Sequence, residues 1–562
     1  MLYSRTYQRG LSGSEGASGQ ANVQSTYYWS STTNANNTNN AWVVNMNNGN
    51  VNNDNKNNNN YVWPVRAGEW SPPLFSFENL CASYRRCRKN KRGTINALKF
   101  EINAEENLFN LAEELASRTY RPSRSVCFAI DKPRMREIVA ADFRDRVVHH
   151  LLVERLETIY EPIFIHDSYA CRRGKGLHRG VKRIRDCIRK GSKNGRRRLY
   201  FVHLDIKNYF MTIDKNILFS LLQRKVRDEA LLWLARTIIF HEPVKDCVIK
   251  GKRGLLKHLP AHKSLFHAQP DEGLPVGNLT SQFFANVYLN ELDQFAKHNL
   301  KCRYYVRYCD DFLILSPSAE QLRRAKEEIR EFLRTRLDLA LNEKYERILP
   351  VAHGIDILGY IIRPDYLLVR RRVVNNMKTR LEQFKKRLIS EQGRLRIVRY
   401  DYDLLESLRS VLASYFGHLK WANTYHLRLT LLERYGFLKE FFSFDSGRIK
   451  PLYRFCEIFP RVRSQYLYYA NLFKGLAVFF QVGRFYEFYS SSSPIRDILD
   501  LKPVKPNRRG AKYGFPLPLG ERYAKIAAEA GVPVVIIRET DRYVGKIKER
   551  LPVMKIMAAA GD

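Results

Sequence analysis

Cysteine is scarce and scattered, nine in 562 residues with no Cys-x-x-Cys pair. That spacing excludes a zinc ribbon and offers no disulfide framework. Long apolar runs are missing too. No stretch reaches the ~20 residues needed to span a bilayer, and the chain does not open on a signal-peptide pattern, so a cytoplasmic protein without a membrane partner is expected. Acidic residues are in deficit, 57 Asp and Glu against 95 Lys and Arg, for a formal net charge of +38. The excess gathers at 85–92, 182–198, 370–387 and 508–509. A polyanion is the expected partner, nucleic acid before membrane. A Gly-x-x-x-x-Gly-Lys-Ser/Thr loop is absent, which removes P-loop ATP hydrolysis.

What is present divides by composition, and the length is too great for one core. Residues 1–69 stand apart: from Asn34 to Asn60, 16 of 27 positions are Asn, so a disordered segment is expected. Residues 70–366 alternate helical and strand-like patterns as an α+β domain would, 367–450 read as helical and basic, and 451–562 form a last small unit rich in aromatics.

The most informative residues are Tyr308-Cys309-Asp310-Asp311, between the apolar runs Tyr304-Tyr305-Val306-Arg307 and Phe312-Leu313-Ile314-Leu315. Two strand-like halves around an acidic pair read as a hairpin with carboxylates at its tip. Adjacent aspartates in an apolar strand pair are costly to bury unless a cation neutralises them. Leu199-Tyr200-Phe201-Val202-His203-Leu204 is a second such run and ends on Asp205. Three carboxylates delivered to one point would make the metal site of a nucleotidyl-transferring polymerase. An exposed acidic turn would explain Asp310 and Asp311 alone.

Taken in order, the segments resemble the reverse transcriptase family. Asp205-Ile206-Lys207-Asn208-Tyr209-Phe210 is similar to its first palm motif, and Gly273-Leu274-Pro275-Val276-Gly277-Asn278-Leu279-Thr280-Ser281-Gln282 to its template-contacting motif. Tyr308-Cys309-Asp310-Asp311 corresponds to the catalytic hairpin. Leu341-Asn342-Glu343-Lys344 and His353-Gly354-Ile355-Asp356-Ile357-Leu358-Gly359-Tyr360 correspond to the two motifs that follow. The resemblance implies a right-hand polymerase of fingers, palm and thumb, with Asp205, Asp310 and Asp311 as catalytic and metal-binding residues. Two magnesium ions, replaceable by manganese, would activate the primer hydroxyl and stabilise the leaving pyrophosphate. Ser168-Tyr169-Ala170-Cys171-Arg172-Arg173-Gly174-Lys175-Gly176 resembles the bacterial fingers motif, in which Arg172 and Lys175 would grip the incoming triphosphate. Phe210 would be the gate against a ribose 2′-hydroxyl, with a core aromatic as the rival reading. Val276 and Gln282 would border the nucleotide, and Gly277, Gly359 and Tyr360 the nucleic acid. Lys344 would protonate pyrophosphate, although an ordinary surface lysine explains it as well.

The Gly273–Gln282 motif, running on through Phe283-Phe284-Ala285-Asn286-Val287-Tyr288, looks like diversity-generating retroelement enzymes. Many relatives carry Gln where Val276 stands; losing one amide hydrogen bond is worth ~1 kcal/mol, roughly fivefold in discrimination. The resemblance implies error-prone copying of a template RNA into cDNA at adenines, a small basic accessory protein, and a bacterial, archaeal or phage-borne enzyme. Tyr27-Tyr28-Trp29, Ala41-Trp42-Val43-Val44 and Tyr61-Val62-Trp63 resemble the diversified end of lectin-like targets. The template repeat would then overlap the start of this reading frame. A group II intron or retron-type enzyme is the first alternative, and a non-catalytic RNA-binding protein on a polymerase scaffold the second. Finally, Gly483-Arg484-Phe485-Tyr486-Glu487 resembles the mismatch-binding first domain of the MutS family, whose motif has Asp where Arg484 stands. That likeness implies a small α/β unit in which Phe485 wedges between bases and Glu487 contacts an unpaired one. A core aromatic strand is the competing explanation.

Overall fold

The computed structural model describes residues 27–33, 36, 39–45, 50–58, 73–89, 93–131, 135–251, 253–445, 448–454, 459–489, 494–503 and 513–559. Residues 61–66, 90–92 and 508–509, to which expectations attach, lie outside them. The chain divides into two compact units, residues 1–78 and 79–562.

In the first unit, β1 (Tyr27–Thr33), β2 (Asn40–Asn45) and β3 (Val51–Asn55) form an antiparallel sheet, with Trp29 opposite Val43 and Trp42 opposite Asn53. Over these described residues the chain is a paired sheet and not the disordered segment expected. Asparagine content lowers the apolar area available for a core, but strand pairing uses backbone groups that every residue carries. Ala41 and Val43 alternate onto a buried face, and the Asn40 side-chain amide donates to Asn53 Oδ1 at 2.9 Å.

In the second unit, where fingers, palm and thumb name the segments expected to form them, helix Phe77–Arg88 and helices Ile95–Ile102 and Ala104–Ala116 precede the hairpin β4 (Ser125–Ile130) and β5 (Arg136–Ala140). A short strand, β7 (Cys247–Ile249), adds in parallel to β4. Helix Phe143–Tyr160 is capped by Asp142, whose carboxylate accepts from the Arg144 amide at 3.1 Å. The palm sheet runs β10 (Ile348–Pro350), β6 (Tyr200–Leu204), β9 (Asp311–Ser316), β8 (Tyr304–Tyr308), all antiparallel. Val181, Ile184 and Ile188 of helix Leu177–Gly191 pack on Phe201, Val306, Leu313 and Leu315. A small sheet of β11 (Ile355–Ile357), β12 (Tyr360–Ile362) and β13 (Leu367–Val369) leads to the thumb.

The expected helical thumb over 367–450 is only partly helical. Between helices Arg371–Leu388 and Tyr402–Leu419 lies a hairpin, β14 (Ile389–Gln392) and β15 (Leu395–Arg399). Beyond the short pair β16 (Phe442–Ser443) and β17 (Lys450–Pro451), the C-terminal region contributes five more strands. These are β18 (Ala477–Val482), β19 (Phe485–Phe488), β20 (Tyr513–Pro516), β21 (Val534–Val544) and β22 (Ile547–Ala558). Both sets join one seven-stranded sheet, ordered β14-β15-β22-β21-β18-β19-β20. A separate unit beginning at 451 is therefore corrected: β15 pairs with β22 from Leu395↔Ala558 to Arg399↔Met554. The β-branched alternation in Leu395-Arg396-Ile397-Val398 makes that hairpin, and a hairpin alone is unstable without further strands. One sheet face (Val398, Phe480, Val482, Val535, Ile537) packs on Leu381, Leu405 and Leu408 of the thumb helices. The other (Ile397, Phe479, Tyr486, Phe488, Ile536) packs on Ala524, Ala527 and Ala528 of helix Gly520–Glu529. Among the described residues no helix is long and apolar enough to cross a membrane.

Each large apolar side chain lost from that face forfeits ~1.5–3 kcal/mol, and domains are stable by only ~5–15 kcal/mol. A chain truncated after Pro451 should therefore aggregate or lose its cooperative thumb transition in thermal unfolding. A monomeric truncation with the parent's melting profile would show that the two regions fold independently.

Candidate active site

The palm sheet delivers its acidic residues through chain geometry. Leu204 pairs with Phe312, so Asp205 is the first residue past the end of β6. Tyr308 pairs with Asp311, leaving Cys309 and Asp310 as a two-residue turn in which Cys309 has φ +60°. A non-glycine residue there is strained by roughly 1–3 kcal/mol and needs support. The support is Arg307, whose Nη1 donates to the Cys309 carbonyl at 3.0 Å and to Asn286 Oδ1 at 3.1 Å. Its Nε and Nη2 form a fork on Asp293 at 2.8 and 2.7 Å, and Tyr305 donates to the same carboxylate at 2.8 Å. Arg307 and Asp293 side chains are both 0% exposed. Burial alone would depress the Arg307 guanidinium, but the charge and hydrogen bonds of Asp293 hold it above its ordinary value. Sequence reasoning missed Arg307, Asp293 and Asn286. The signal was an arginine at an inward position of an apolar strand.

Asp310 is pushed up to about 6, first by burial and then by the charges of Asp311 and Asp205. Asp205 is clamped by Asn342, which donates from Nδ2 to its Oδ2 at 2.9 Å and from its amide to the Asp205 carbonyl at 2.8 Å. Asp311 lies beside these two aspartates, with Oδ1 3.0 Å from His203 Nε2. Among the described residues no group of three or more His, Cys, Asp or Glu is arranged to hold a metal ion. The oxygens of Asp205 and Asp310 suit a hard divalent cation such as magnesium, which would relieve the repulsion that Asp311 and Asp205 exert on Asp310.

The nucleotide-side residues are joined through backbone bonds. Phe210, half-buried, accepts the Leu274 amide at 2.7 Å and lies ring to ring with Tyr209 at 5.6 Å. Val276 accepts the Val139 amide of β5 at 2.9 Å. Gly277 has φ +126°, and a Cβ there would lie 3.0 Å from Ile138 Cγ2, so the close approach of β5 demands glycine. The fingers hairpin therefore fixes Val276 and Gly277 beside the Phe210 turn. Gln282 is exposed and shares a cavity of about 400 Å³ with Cys171 and Arg172.

Four expectations are corrected here or narrowed. Arg172 is a scaffold residue and is not free to grip a triphosphate. Its side chain is 6% exposed, Nε and Nη2 engage Glu161, and Nη1 donates to the carbonyls of Ile165 and Ser168. Lys175 donates to the His166 carbonyl at 2.8 Å and lies over Tyr169. Among the described residues of the fingers hairpin, Arg136 is an exposed basic side chain, at the start of β5 on the Ile138 face. Tyr360, expected against nucleic acid, is 0% exposed, stacks on His418 at 4.2 Å and donates to the His418 carbonyl at 2.9 Å. Gly359, beside it, occupies the β11–β12 turn with φ +84°. Glu487 is buried and accepts from Tyr489 at 2.6 Å, which rules it out as a base contact. Phe485 is 51% exposed at the tip of the β18–β19 hairpin. Lys344 is exposed, two residues beyond the Asn342 clamp.

The span that builds this site, residues 129–362, matches the family model for reverse transcriptase (RNA-dependent DNA polymerase). The chain carries a reverse transcriptase domain. Residues 11–66 match a second model, the Lcl C-terminal domain. Group II intron-encoded protein LtrA of Lactococcus lactis subsp. cremoris is 25% identical over 325 residues, 46% of this chain and 50% of that protein. Protein YkfC of Escherichia coli K12 is 27% identical over 309 residues, 48% of this chain and 74% of that one. The chain thus spans about half the length of LtrA. Among solved structures, a telomerase from Candida albicans overlays with a TM-score of 0.31 at 12% identity, covering 59% of this chain and 63% of that one.

Within the reverse transcriptase domain, the Arg307–Asp293 pair separates stability from geometry. Arg307→Met strands a buried carboxylate and should cost about 3–5 kcal/mol in denaturant unfolding. Adding Asp293→Leu should recover most of that stability. Primer extension should stay impaired in the double variant, because nothing then holds the Cys309 carbonyl. Full activity in a stable double variant would show the turn to be self-supporting.

Proposed function

We propose that this chain is an RNA-directed DNA polymerase that copies a repeat-bearing template RNA into cDNA with errors at adenines, as part of a diversity-generating retroelement. The polymerase reading is carried by Asp205 and Asp310 at one end of the palm sheet, with Phe210 and Val276 tied beside them by backbone hydrogen bonds. Magnesium bound by this pair would lower the pKa of the primer 3′-hydroxyl and neutralise charge on the triphosphate. Asn342 orients Asp205, Arg307 fixes the turn that carries Asp310, and His203 holds Asp311. The Phe210 ring, half-buried beside the template motif, is suited to exclude a ribose 2′-hydroxyl. Exposed Lys344 is available to the leaving pyrophosphate. An idle RNA-binding scaffold would have no need to bury an aspartate against two like charges.

Two observations support the retroelement reading. Val276 offers only its carbonyl, to Val139, and has no side-chain amide to contribute near a nascent pair. The segment matching a separate family, residues 11–66, precedes the polymerase in the same frame and is rich in codons that adenine changes diversify without creating stops. The partners on this reading are template RNA, cDNA and a small basic accessory protein. Identity to LtrA and YkfC favours a group II intron-type enzyme as the second reading. In the C-terminal region, the MutS-like reading rests on Phe485 alone as an exposed stacking side chain.

Asp310→Asn should abolish cDNA synthesis while RNA binding persists; near-normal extension by that variant would refute the metal-site assignment. Val276→Gln should lower misincorporation at template adenines severalfold, read by sequencing the cDNA. An error spectrum unchanged by the substitution, or a parent enzyme accurate at adenines, would return the chain to the intron-type reading.

A further inference from the structure

At the end of the palm hairpin away from Asp310 there is a groove of about 860 Å³. Its walls are the C-terminal end of helix Leu177–Gly191, the start of β8 and the first turns of helix Ala319–Arg336. Tyr304 at the rim and Tyr308 at the catalytic turn are opposite ends of β8, roughly 14 Å apart at ~3.4 Å per residue. Arg189, Lys190, Lys193, Arg197, Lys301 and Arg303 line the groove, and its lining includes no carboxylate. All six cations are exposed.

A solvated basic face is the competing explanation, and three observations weigh against it. First, three arginines of the neighbouring helix Ala319–Arg336 are paired within it. Arg323 and Arg324 pair with Glu320, and Arg334 pairs with Glu331. In the groove only Arg189 has an acidic neighbour, Asp186 at 3.8 Å; among the described residues the other five cations have no ion-pair partner. Secondly, Lys193 and Lys301 each sit at the left-handed turn just past a helix end, φ +50° and +53°, which fixes where these two cations stand on the groove. Thirdly, the wall is rigid, since a Cβ at Gly191 would lie 3.0 Å from Leu199 and 3.2 Å from Tyr304. The helix C-terminus accounts for a preference for cations at Arg189 and Lys190. It does not account for Lys193, Arg197, Lys301 or Arg303.

We propose that this groove is a second nucleic-acid site, which holds the phosphodiester backbone of a duplex outside the catalytic cleft. Unpaired cations converging on a concave surface are the electrostatic footprint of a phosphate backbone. Single-strand sites add exposed aromatic faces for base stacking. Here the one aromatic, Tyr304, is half-buried with Arg303 over its ring at 5.5 Å, so backbone contact is the recognition the groove offers. A stem of a folded RNA and a DNA duplex share that chemistry. The site goes beyond the polymerase reading and does not depend on it.

The test uses the full chain with Lys190→Ala, Lys193→Ala and Arg197→Ala together, titrated with short blunt RNA duplex, blunt DNA duplex and oligo-uridine. Compared with the parent, the variant should bind one equivalent fewer of duplex, and the salt dependence of total binding should be shallower by about one logarithmic unit per cation removed. A matched variant, Arg323→Ala with Arg324→Ala and Arg334→Ala, should behave as the parent. Loss confined to RNA assigns a template stem, and loss on both duplexes assigns the shared backbone. An unchanged number of duplex equivalents, or a loss seen only with oligo-uridine, overturns the proposal. Extension of a short primer–template is measured alongside. If the parent itself fails to extend, the polymerase reading fails, while the count of equivalents still decides the groove.

Discussion

Beneath the catalytic turn, one fully buried ion pair ties together segments far apart in the chain. Arg307 on β8 and Asp293 on helix Leu279–Gln294 share a two-pronged contact, and the remaining guanidinium nitrogen reaches the Cys309 carbonyl and Asn286. Asn286 in turn donates to the Ala170 carbonyl at 2.9 Å, and the Tyr169 amide donates to the Arg307 carbonyl at 2.9 Å. Fingers, palm helix and palm hairpin therefore meet at one arginine. A buried pair of this kind adds little net stability over apolar residues of equal size. What it supplies here is position: a fork has one satisfactory geometry, and that geometry fixes a strained turn bearing an aspartate.

The acidic site was legible because its information is local. A period-two apolar run, an acidic pair and a second run ending on Asp205 specify strand ends without knowledge of the fold. The supporting contacts are long-range, and their residues were misassigned wherever a type had two plausible uses. Arg172 stands in a motif that fits phosphate, yet Glu161, eleven positions upstream at the end of helix Phe143–Tyr160, claims its fork. Tyr360 follows a glycine turn that looks like a nucleic-acid contact, yet a histidine 58 residues later covers its ring. In both cases the partner lies in a segment whose packing no pattern in the motif itself encodes.

The N-terminal sheet and the thumb hairpin went unrecognised for a different reason. Composition averaged over a window reports whether a core can form, and the Asn-rich segment scores poorly on that measure. Its short apolar run Ala41-Trp42-Val43-Val44 still puts Ala41 and Val43 on one buried strand face, which is enough for backbone pairing. The thumb hairpin was hidden inside a basic helical stretch, where Ile397 and Val398 read as helix interior. Their strand identity comes from β22, which lies some 150 residues away. The same shared sheet explains why Phe485 and Glu487, two residues apart, differ in exposure: one is at a hairpin tip, the other faces a core contributed largely by the thumb.

Because β15 and β22 exchange backbone bonds along five residue pairs, the thumb has no hinge between itself and the C-terminal strands. Sliding one against the other would break the ladder and shear apart a two-sided core. The thumb and the β18–β19 tip are in effect one lever. Any swing of the thumb helices also carries Phe485 along an arc, so the position of the tip and that of the thumb are a single mechanical coordinate.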